Sequence, residues 1–397
     1  MRHKSINRRE FIGKTTLGVV TAGLGIPLLK ASPVKEEQGL KIVYRTLGRT
    51  KLKIPIVSFG VMNSDSPDLL RKALDMGIKY FDTANGYLRG NSERVIGEVM
   101  QETGSRDKVY IGTKIFLSRD SRKLVYLPEA NEENFNNMLN ISLERLRTDY
   151  LDILYLHRTD SVEMADYEPT MRILEKAKES GKARFIGISL HGNEPDIIRA
   201  ATDAGIYDVL ITRYNFMQEH KDELKKAIQY AAERGVGVIA MKTQCGASVN
   251  QRMEIDHPAA LKWALSDENV CTAIPGMTTF DQMDLNFQVM SDLALSGAEK
   301  KSLQLASLQR GPFYCRDCRT CVASCPRKVE IPTLMRAYMY AEGYRNHIQA
   351  RMTVAELPDH CGLKVCQNCS SCSATCRYGI NINERVKTLI ADGFYRC

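Results

Sequence analysis

The sequence predicts an α/β chain: a closed barrel of eight parallel strands, each followed by a helix, and then a small, mostly α-helical module. Three observations carry this. From residue 40, about 250 residues alternate short β-rich runs with amphipathic helical stretches. The first barrel run leads into Ser58-Phe59-Gly60-Val61-Met62-Asn63, which lacks the G-x-G-x-x-G loop expected of the rival fold, an open doubly wound sheet. Ten of the twelve cysteines fall in the last 83 residues, a shift in composition that marks a boundary near residue 310.

The elements follow in order. Residues 43–46 and 51–54 read as a hairpin turning at Gly48-Arg49. Eight strands are expected at 56–60, 80–83, 109–113, 151–156, 185–189, 209–213, 237–241 and 272–274. Helical stretches between them include 68–76, 133–146, 170–180, 194–204, 221–233 and 258–265. In such barrels chemistry gathers at the C-terminal strand ends, where this chain places Asp82, Lys114, His157 and Ser189. The loops 116–129, 191–195 and 244–253 read as polar and irregular, so the substrate is not legible in them.

The net charge of +8 is concentrated at the N-terminus, where residues 1–30 hold six Lys/Arg and one acid. No basic patch with interleaved aromatics follows, which argues against nucleic-acid binding. Past the N-terminus no uncharged apolar run reaches the length of a membrane span. Arg8-Arg9-Glu10-Phe11-Ile12 precedes a weakly apolar stretch over residues 15–29 and resembles a twin-arginine export signal, with a disordered basic tail as the alternative. The resemblance implies a signal segment over residues 1–35 and a location in the periplasm or on the outer face of the cytoplasmic membrane. Lys30-Ala31-Ser32 is not a clean cleavage site, so membrane contact is expected only if the segment stays uncleaved.

The sharpest signal in the barrel is Phe81-Asp82-Thr83-Ala84-Asn85-Gly86-Tyr87, followed by Thr113-Lys114 and by Asp152-Ile153-Leu154-Tyr155-Leu156-His157. These residues, with the run 181–189 and Ile274-Pro275-Gly276, resemble the aldo/keto reductase family over residues 41–292. The resemblance implies a (β/α)₈, or TIM, barrel over residues 40–295 and NAD(P)H-dependent carbonyl–alcohol interconversion. It implies Asp82, Tyr87, Lys114 and His157 as the catalytic residues. Carbonyl reduction needs a hydride at carbon and a proton at oxygen. A tyrosine can give that proton, and its ordinary pKa of about 10 falls beside a cation. Lys114, paired with Asp82, would be that cation, and His157 would orient the carbonyl oxygen and share in proton transfer.

By the same resemblance Ser189 holds the nicotinamide carboxamide, and Gly276, Thr278, Gln282 and Asn286 bind the adenosine end; Lys242, next along the chain after Met241, is either a contact to the pyrophosphate or a solvated loop lysine. The sequence departs from the family at Leu190, Ile211 and Met241, where Asn, Gln and an aromatic are usual. Many members place Lys and Arg where Gly276 and Gln282 stand, so the preference for NADP(H) over NAD(H) should be lessened.

The C-terminal module carries Cys315-x₂-Cys318-x₂-Cys321-x₃-Cys325-Pro326 and a second run, Cys366-x₂-Cys369-x₂-Cys372-x₃-Cys376-Arg377. Each run matches the bacterial ferredoxin spacing. The resemblance implies two [4Fe–4S] clusters in a ferredoxin-type domain over residues 310–397. One cluster would rest on Cys315, Cys318, Cys321 and Cys376, the other on Cys366, Cys369, Cys372 and Cys325. A helical stretch near residues 333–346 makes the helical ferredoxins the nearer likeness. Zinc and disulfides are the alternatives. Cys361 and Cys397 are unassigned, and Cys245 and Cys271 read as ordinary buried cysteines.

A hydride carries two electrons and a cluster takes one, with flavin the usual mediator, and no flavin fingerprint is present. Three readings stay open. The chain is an enzyme whose clusters exchange electrons with a redox partner, an enzyme whose clusters are structural or dock a partner, or an electron carrier using the barrel as a scaffold.

Overall fold

The structure is a computed structural model, and it describes residues 42–245, 255–308, 315 and 317–395. The expected export signal over residues 1–35 and Cys397 lie outside the described residues. β1 (Tyr44–Thr46) and β2 (Lys53–Pro55) pair antiparallel, with Tyr44 opposite Pro55. The turn between them lies against the start of a later strand, where the Arg49 N–H donates to the Gly235 carbonyl at 2.5 Å. The hairpin therefore closes the N-terminal end of the barrel and sends Leu47, Leu52 and Ile54 into its interior beside Tyr80, Ile153, Tyr155 and Val209.

Eight parallel strands follow: β3 (Phe59–Gly60), β4 (Tyr80–Asp82), β5 (Tyr110–Ile115), then, past a small hairpin β6 (Arg119–Asp120) and β7 (Val125–Tyr126), β8 (Leu151–Leu156), β9 (Ala183–Leu190), β10 (Val209–Arg213), β11 (Gly237–Met241) and β12 (Val270–Ala273). Their order in the sheet is the order in the chain. Parallel bridges Val57–Ala273 and Gly60–Gly276 join the first strand to the last. This is why the first strand is shorter than the expected 56–60. Ser58 donates its N–H to Ala273, and Ala273 donates to Ile56, so the missing residues bond across the seam rather than within a regular ladder.

The barrel helices are α1 (Pro67–Asp75), α2 (Asn91–Thr103), α3 (Glu132–Leu146), α4 (Val162–Ala165), α5 (Glu168–Glu179), α6 (Glu194–Ala204), α7 (Lys221–Glu233), α8 (His257–Leu265), α9 (Phe280–Gln288) and α10 (Gly297–Leu308). Their starts are chemically marked. Ser66, Asn131, Asp256 and Thr279 each accept the N–H three residues on, satisfying a donor that the helix cannot. Pro67 and Pro258 sit in the first turn, where no N–H is needed. The helices bury Leu69, Ile96, Phe135, Ile197 and Ile228 against the outer face of the sheet in one continuous core.

The loop 116–129, read from sequence as irregular, contains the β6–β7 hairpin. The Asp120 carboxylate accepts the N–H groups of Arg122 and Lys123 at 2.8 and 3.0 Å, and Leu124 takes a left-handed φ of 56°. A polar residue organises this turn, so hydrophobic periodicity does not reveal it.

Beyond the barrel, α11 (Thr320–Ser324), α12 (Ile331–Tyr338), a π-helical turn (Met339–Gly343), α13 (His347–Ala355), α14 (Leu363–Gln367) and α15 (Ile382–Ala391) form a helical body with its own core of Leu334, Met335, Leu363, Leu389 and Phe394. Buried Cys321 and Cys325 belong to that core. Among the described residues no helix is long and apolar enough to cross a membrane.

Gly187, in the middle of β9, has no room for a side chain. An added Cβ would collide with the Val209 carbonyl oxygen and stand 2.9 Å from the Tyr155 ring. Gly187→Ala is expected to lower unfolding free energy by about 2–4 kcal/mol, measured by denaturant unfolding followed by circular dichroism. A loss under about 0.5 kcal/mol would contradict this packing.

Candidate active site

The C-terminal strand ends open into one cavity of about 740 Å³. β4 ends on Asp82 and β5 carries Lys114, and the two side chains form an ion pair with almost no exposure. The Lys114 ammonium also donates to the Thr83 carbonyl at 2.8 Å. Tyr80 donates its hydroxyl to the second Asp82 oxygen at 3.3 Å and lies 3.0 Å from the Tyr155 hydroxyl. Burial pushes Asp82 up and Lys114 down, each toward neutrality, and the mutual attraction opposes both shifts.

Tyr87 opens the short 3₁₀ turn Tyr87–Gly90, in which Leu88 and Arg89 both take left-handed φ. That strained turn is pinned from below. Asn85 donates to Ser142 at 2.9 Å and to the Met138 carbonyl at 3.1 Å, and Arg145 donates to the Asn85 carbonyl at 2.8 Å. The Lys114 ammonium lies 5.2 Å from the centre of the Tyr87 ring. His157, at the end of β8, meets Tyr87 edge-on with ring centres 5.7 Å apart. Asp82, Tyr87, Lys114 and His157 thus line one cavity. Burial, and then Asp82, raise the Tyr87 hydroxyl well above its ordinary range. The lowering by Lys114 expected from the sequence does not dominate in the resting site, where burial of the hydroxyl prevails. His157 is driven well below its ordinary value by burial and then by Lys114, Arg158 and Arg119, so its ring is neutral.

Of the residues expected to hold a nucleotide, Gly276, Thr278, Gln282 and Asn286 line the same cavity. The Gln282 carbonyl oxygen accepts the Thr278 N–H at 2.8 Å, and Asn286 accepts from Gln244 at 2.6 Å. Residues 276–286 contain no Lys or Arg. Ser189 differs from expectation: it is fully buried, its hydroxyl accepts the Arg158 N–H at 3.0 Å, and it does not line the cavity, whose wall there is His191. Lys242 is half-buried, and burial, then Arg213, Arg336 and Arg158, pull its ammonium down to about 7. Met241 and Lys242 both line the cavity. The cavity runs from the strand-end group to the start of α9, and its size and polar rim fit a dinucleotide.

The sequence reading missed the roof. Tyr340, Tyr344, Arg345, Met352 and Glu356 of the C-terminal body line the cavity opposite the strand ends. Glu356 accepts from Arg158 of the barrel and from Arg336 of its own body, both at 2.8 Å. Arg158 also binds Asp160 at 2.9 Å, as does Arg119 at 2.8 Å. Asn346 donates to Asn63 at 3.0 Å, and Tyr378 to Glu219 at 3.0 Å. Charged residues directly after a strand-end histidine were the available signal, at Arg158 and Asp160.

The cysteines fall into two groups. Cys315, Cys318, Cys321 and Cys376 line one small cavity with Ile331, Met335 and Ile382. Burial, and then the thiols of Cys325, Cys372 and Cys369, push Cys366 up to about 12. The first group joins three residues of one run to the fourth of the other, and Cys366 feels the charge of Cys369, Cys372 and Cys325 in the same pattern. Among the described residues no three His, Cys, Asp or Glu side chains converge as around a single metal ion. Cys361, Cys245 and Cys271 are buried.

A parallel α/β barrel with a buried aspartate–lysine pair, a tyrosine and a neutral histidine at its mouth has the layout of a hydride-transferring oxidoreductase. The sequence model described as the aldo/keto reductase family matches residues 57–259, just over half of the chain, and the chain belongs to that family. It is an NAD(P)H-dependent oxidoreductase. L-galactose dehydrogenase of Arabidopsis thaliana is 27% identical over 305 residues, covering 66% of this chain and 92% of that protein. Aldo-keto reductase YhdN of Bacillus subtilis is 29% identical over 195 residues, covering 49% and 56%. L-glyceraldehyde 3-phosphate reductase of Escherichia coli O157:H7 is 27% identical over 316 residues, covering 64% and 90%. The solved holo form of aldo-keto reductase AKR11C1 from Bacillus halodurans shares the fold, with a TM-score of 0.55 at 23% identity over 67% of this chain and 96% of that one.

Near the site, Glu194 is buried, which alone would raise its pKa, yet Arg213 at 2.6 Å and His220 at 2.9 Å pull it down to about 2. Its ionised form therefore stabilises the fold at every pH above the unfolded value of 4.5, and that contribution is lost as pH falls toward 2. Urea unfolding across the acid range should show Glu194→Gln about 3 kcal/mol less stable than wild type at neutral pH, with the gap closing below the unfolded value. A gap independent of pH would contradict the assignment.

Proposed function

We propose that the chain interconverts a small carbonyl and its alcohol at the barrel mouth, with Tyr87 as proton donor, Lys114 and Asp82 as its charged support, and His157 as the neutral donor that orients the carbonyl oxygen. The observation that carries this is the convergence of these four side chains on the cavity that also reaches Gly276, Thr278, Gln282 and Asn286. NAD(P)H, held along that cavity by those four residues, would supply the hydride. The hydroxyl of Tyr87 keeps its proton at working pH because burial raises it, so it is loaded as an acid. As the carbonyl oxygen gains charge, Tyr87 and His157 donate to it, and the Lys114 ammonium offsets the charge left on Tyr87. Tyr340 and Met352, which line the cavity from the C-terminal body, would limit water at this step. With no cation in residues 276–286, the preference for NADPH over NADH is expected to be lessened. Two relatives are named for L-galactose and L-glyceraldehyde 3-phosphate, so small polyhydroxylated carbonyls are the substrate class to try first.

The C-terminal body is proposed to hold two [4Fe–4S] clusters, one on Cys315, Cys318, Cys321 and Cys376, the other on Cys366, Cys369, Cys372 and Cys325. The grouping of thiols across the two runs supports this, as does the apolar wall around the first group. A cube of four irons spreads its thiolates more widely than one ion, so convergence on a point is not required. Such clusters exchange single electrons, here with a redox protein partner. The twin-arginine resemblance supports export of the loaded protein to the periplasmic side.

Tyr87→Phe should lower turnover of an accepted aldehyde by about 10²–10⁴-fold while nucleotide binding persists. Steady-state kinetics with nucleotide titration checks this, and near-normal turnover would remove Tyr87 from the mechanism. Cys376→Ala should drop iron from about eight atoms per chain toward about four. Metal analysis that finds zinc, or iron unchanged in the variant, would overturn the cluster assignment.

A further inference from the structure

A second cavity, of about 230 Å³, lies beside the catalytic one, between the ends of β9–β11 and the first cysteine run. His191, Lys242 and Arg336 line both cavities and form the wall they share. His191 stands 5.9 Å from His157, ring centre to ring centre. The nucleotide and the carbonyl are accounted for by the larger cavity, so the smaller one has no assigned occupant.

Its polar groups are built and incomplete. Gln218 is 7% exposed, and its carbonyl oxygen is committed to the Asn215 N–H at 2.9 Å. Among the described residues the buried amide nitrogen of Gln218 has no partner, which is unfavourable unless something accepts from it. Lys242 holds a left-handed φ of 54°, a conformation unfavourable for a non-glycine residue and retained where surrounding structure enforces it. Here Asn215 and Cys245 both donate to the Lys242 carbonyl, at 3.2 and 3.1 Å. Arg213 and Arg336 have carboxylate partners in Glu194 and Glu356. The Lys242 ammonium has no carboxylate within ion-pair distance among the described residues. Asp317 also lines the cavity, and among the described residues one of its carboxylate oxygens is buried and accepts no hydrogen bond.

A ligand matched to this lining would accept from Gln218 and Lys242, carry negative charge for Lys242, and offer a hydroxyl proton to Asp317. A neutral polyol leaves the lysine unpaired, and a plain dicarboxylate meets Asp317 with like charge. We propose that this cavity binds a small hydroxycarboxylate, with its carboxylate on Lys242 and Gln218 and its hydroxyl on Asp317, as a site separate from the hydride-transfer site.

The test is calorimetric titration of the holoprotein with tartrate, with succinate as the hydroxyl-free counterpart. Tartrate is expected to bind once per chain, more tightly than succinate, and to remain bound when NADP⁺ is saturating. Gln218→Leu and Lys242→Met, on separate loops, should each weaken it about tenfold or more. Two variants guard against one failing to fold, and a thermal melt reports which do. Absence of saturable tartrate binding, wild-type affinity in both folded variants, or loss of binding under saturating NADP⁺ would overturn the proposal.

Discussion

The buried ion pair between Lys114 and Asp82 is the constraint around which the barrel mouth is arranged. Two opposite charges with almost no exposure survive only because each is held by further polar groups, the lysine by the Thr83 carbonyl and the aspartate by Tyr80. β4 and β5 are adjacent in the sheet, with Asp82 in register with Gly112, so backbone pairing already brings the two side chains together. Tyr87 then needs only a short turn to hang over the lysine, and the left-handed Leu88 and Arg89 supply it. Removing either charge would leave the other buried and unpaired, a cost of about 3–5 kcal/mol. The pair is thus at once a structural liability and the source of the site's electrostatics.

A second carboxylate does comparable work for the roof. Glu356 joins Arg158, which directly follows the strand-end histidine, to Arg336 of the C-terminal body. This sets the cysteine-bearing body directly over the mouth, with Tyr340 from a π-helical turn facing the cavity. π-helical turns recur at functional sites because the widened turn redirects a side chain. The geometry gives the chain a two-electron site and, on the proposed reading, one-electron centres within one folded unit.

Much of the barrel is written in its sequence because the strands are buried on both faces. Runs such as Val209–Arg213 and Leu151–Leu156 read as short, mainly apolar segments, and their positions match expectation. The first strand shortened because its bonds go across the closing seam, which only the assembled barrel creates. Asp82, Tyr87, Lys114 and His157 were visible as polar residues at or just after strand ends. Ser189 was visible too, but its hydroxyl is taken by the Arg158 N–H, a contact between residues 31 apart that no local pattern encodes. The roof was illegible for the same reason on a larger scale, since Arg158 and Glu356 are separated by 198 residues. The β6–β7 hairpin rests on one Asp120 side chain and left no hydrophobic trace.

On the proposed reading, a nucleotide-dependent carbonyl site sits directly beneath a body carrying two four-iron clusters. Anaerobic crystallography of the as-isolated protein with NADP⁺, recorded with anomalous scattering at the iron edge, tests this in one measurement. The account predicts iron density in two cubes, one among Cys315, Cys318, Cys321 and Cys376 and one among Cys366, Cys369, Cys372 and Cys325. It also predicts the nicotinamide ring beside Tyr87 and His157, beneath Tyr340. Single-ion density at the cysteines, or a nucleotide bound away from that cavity, would contradict it.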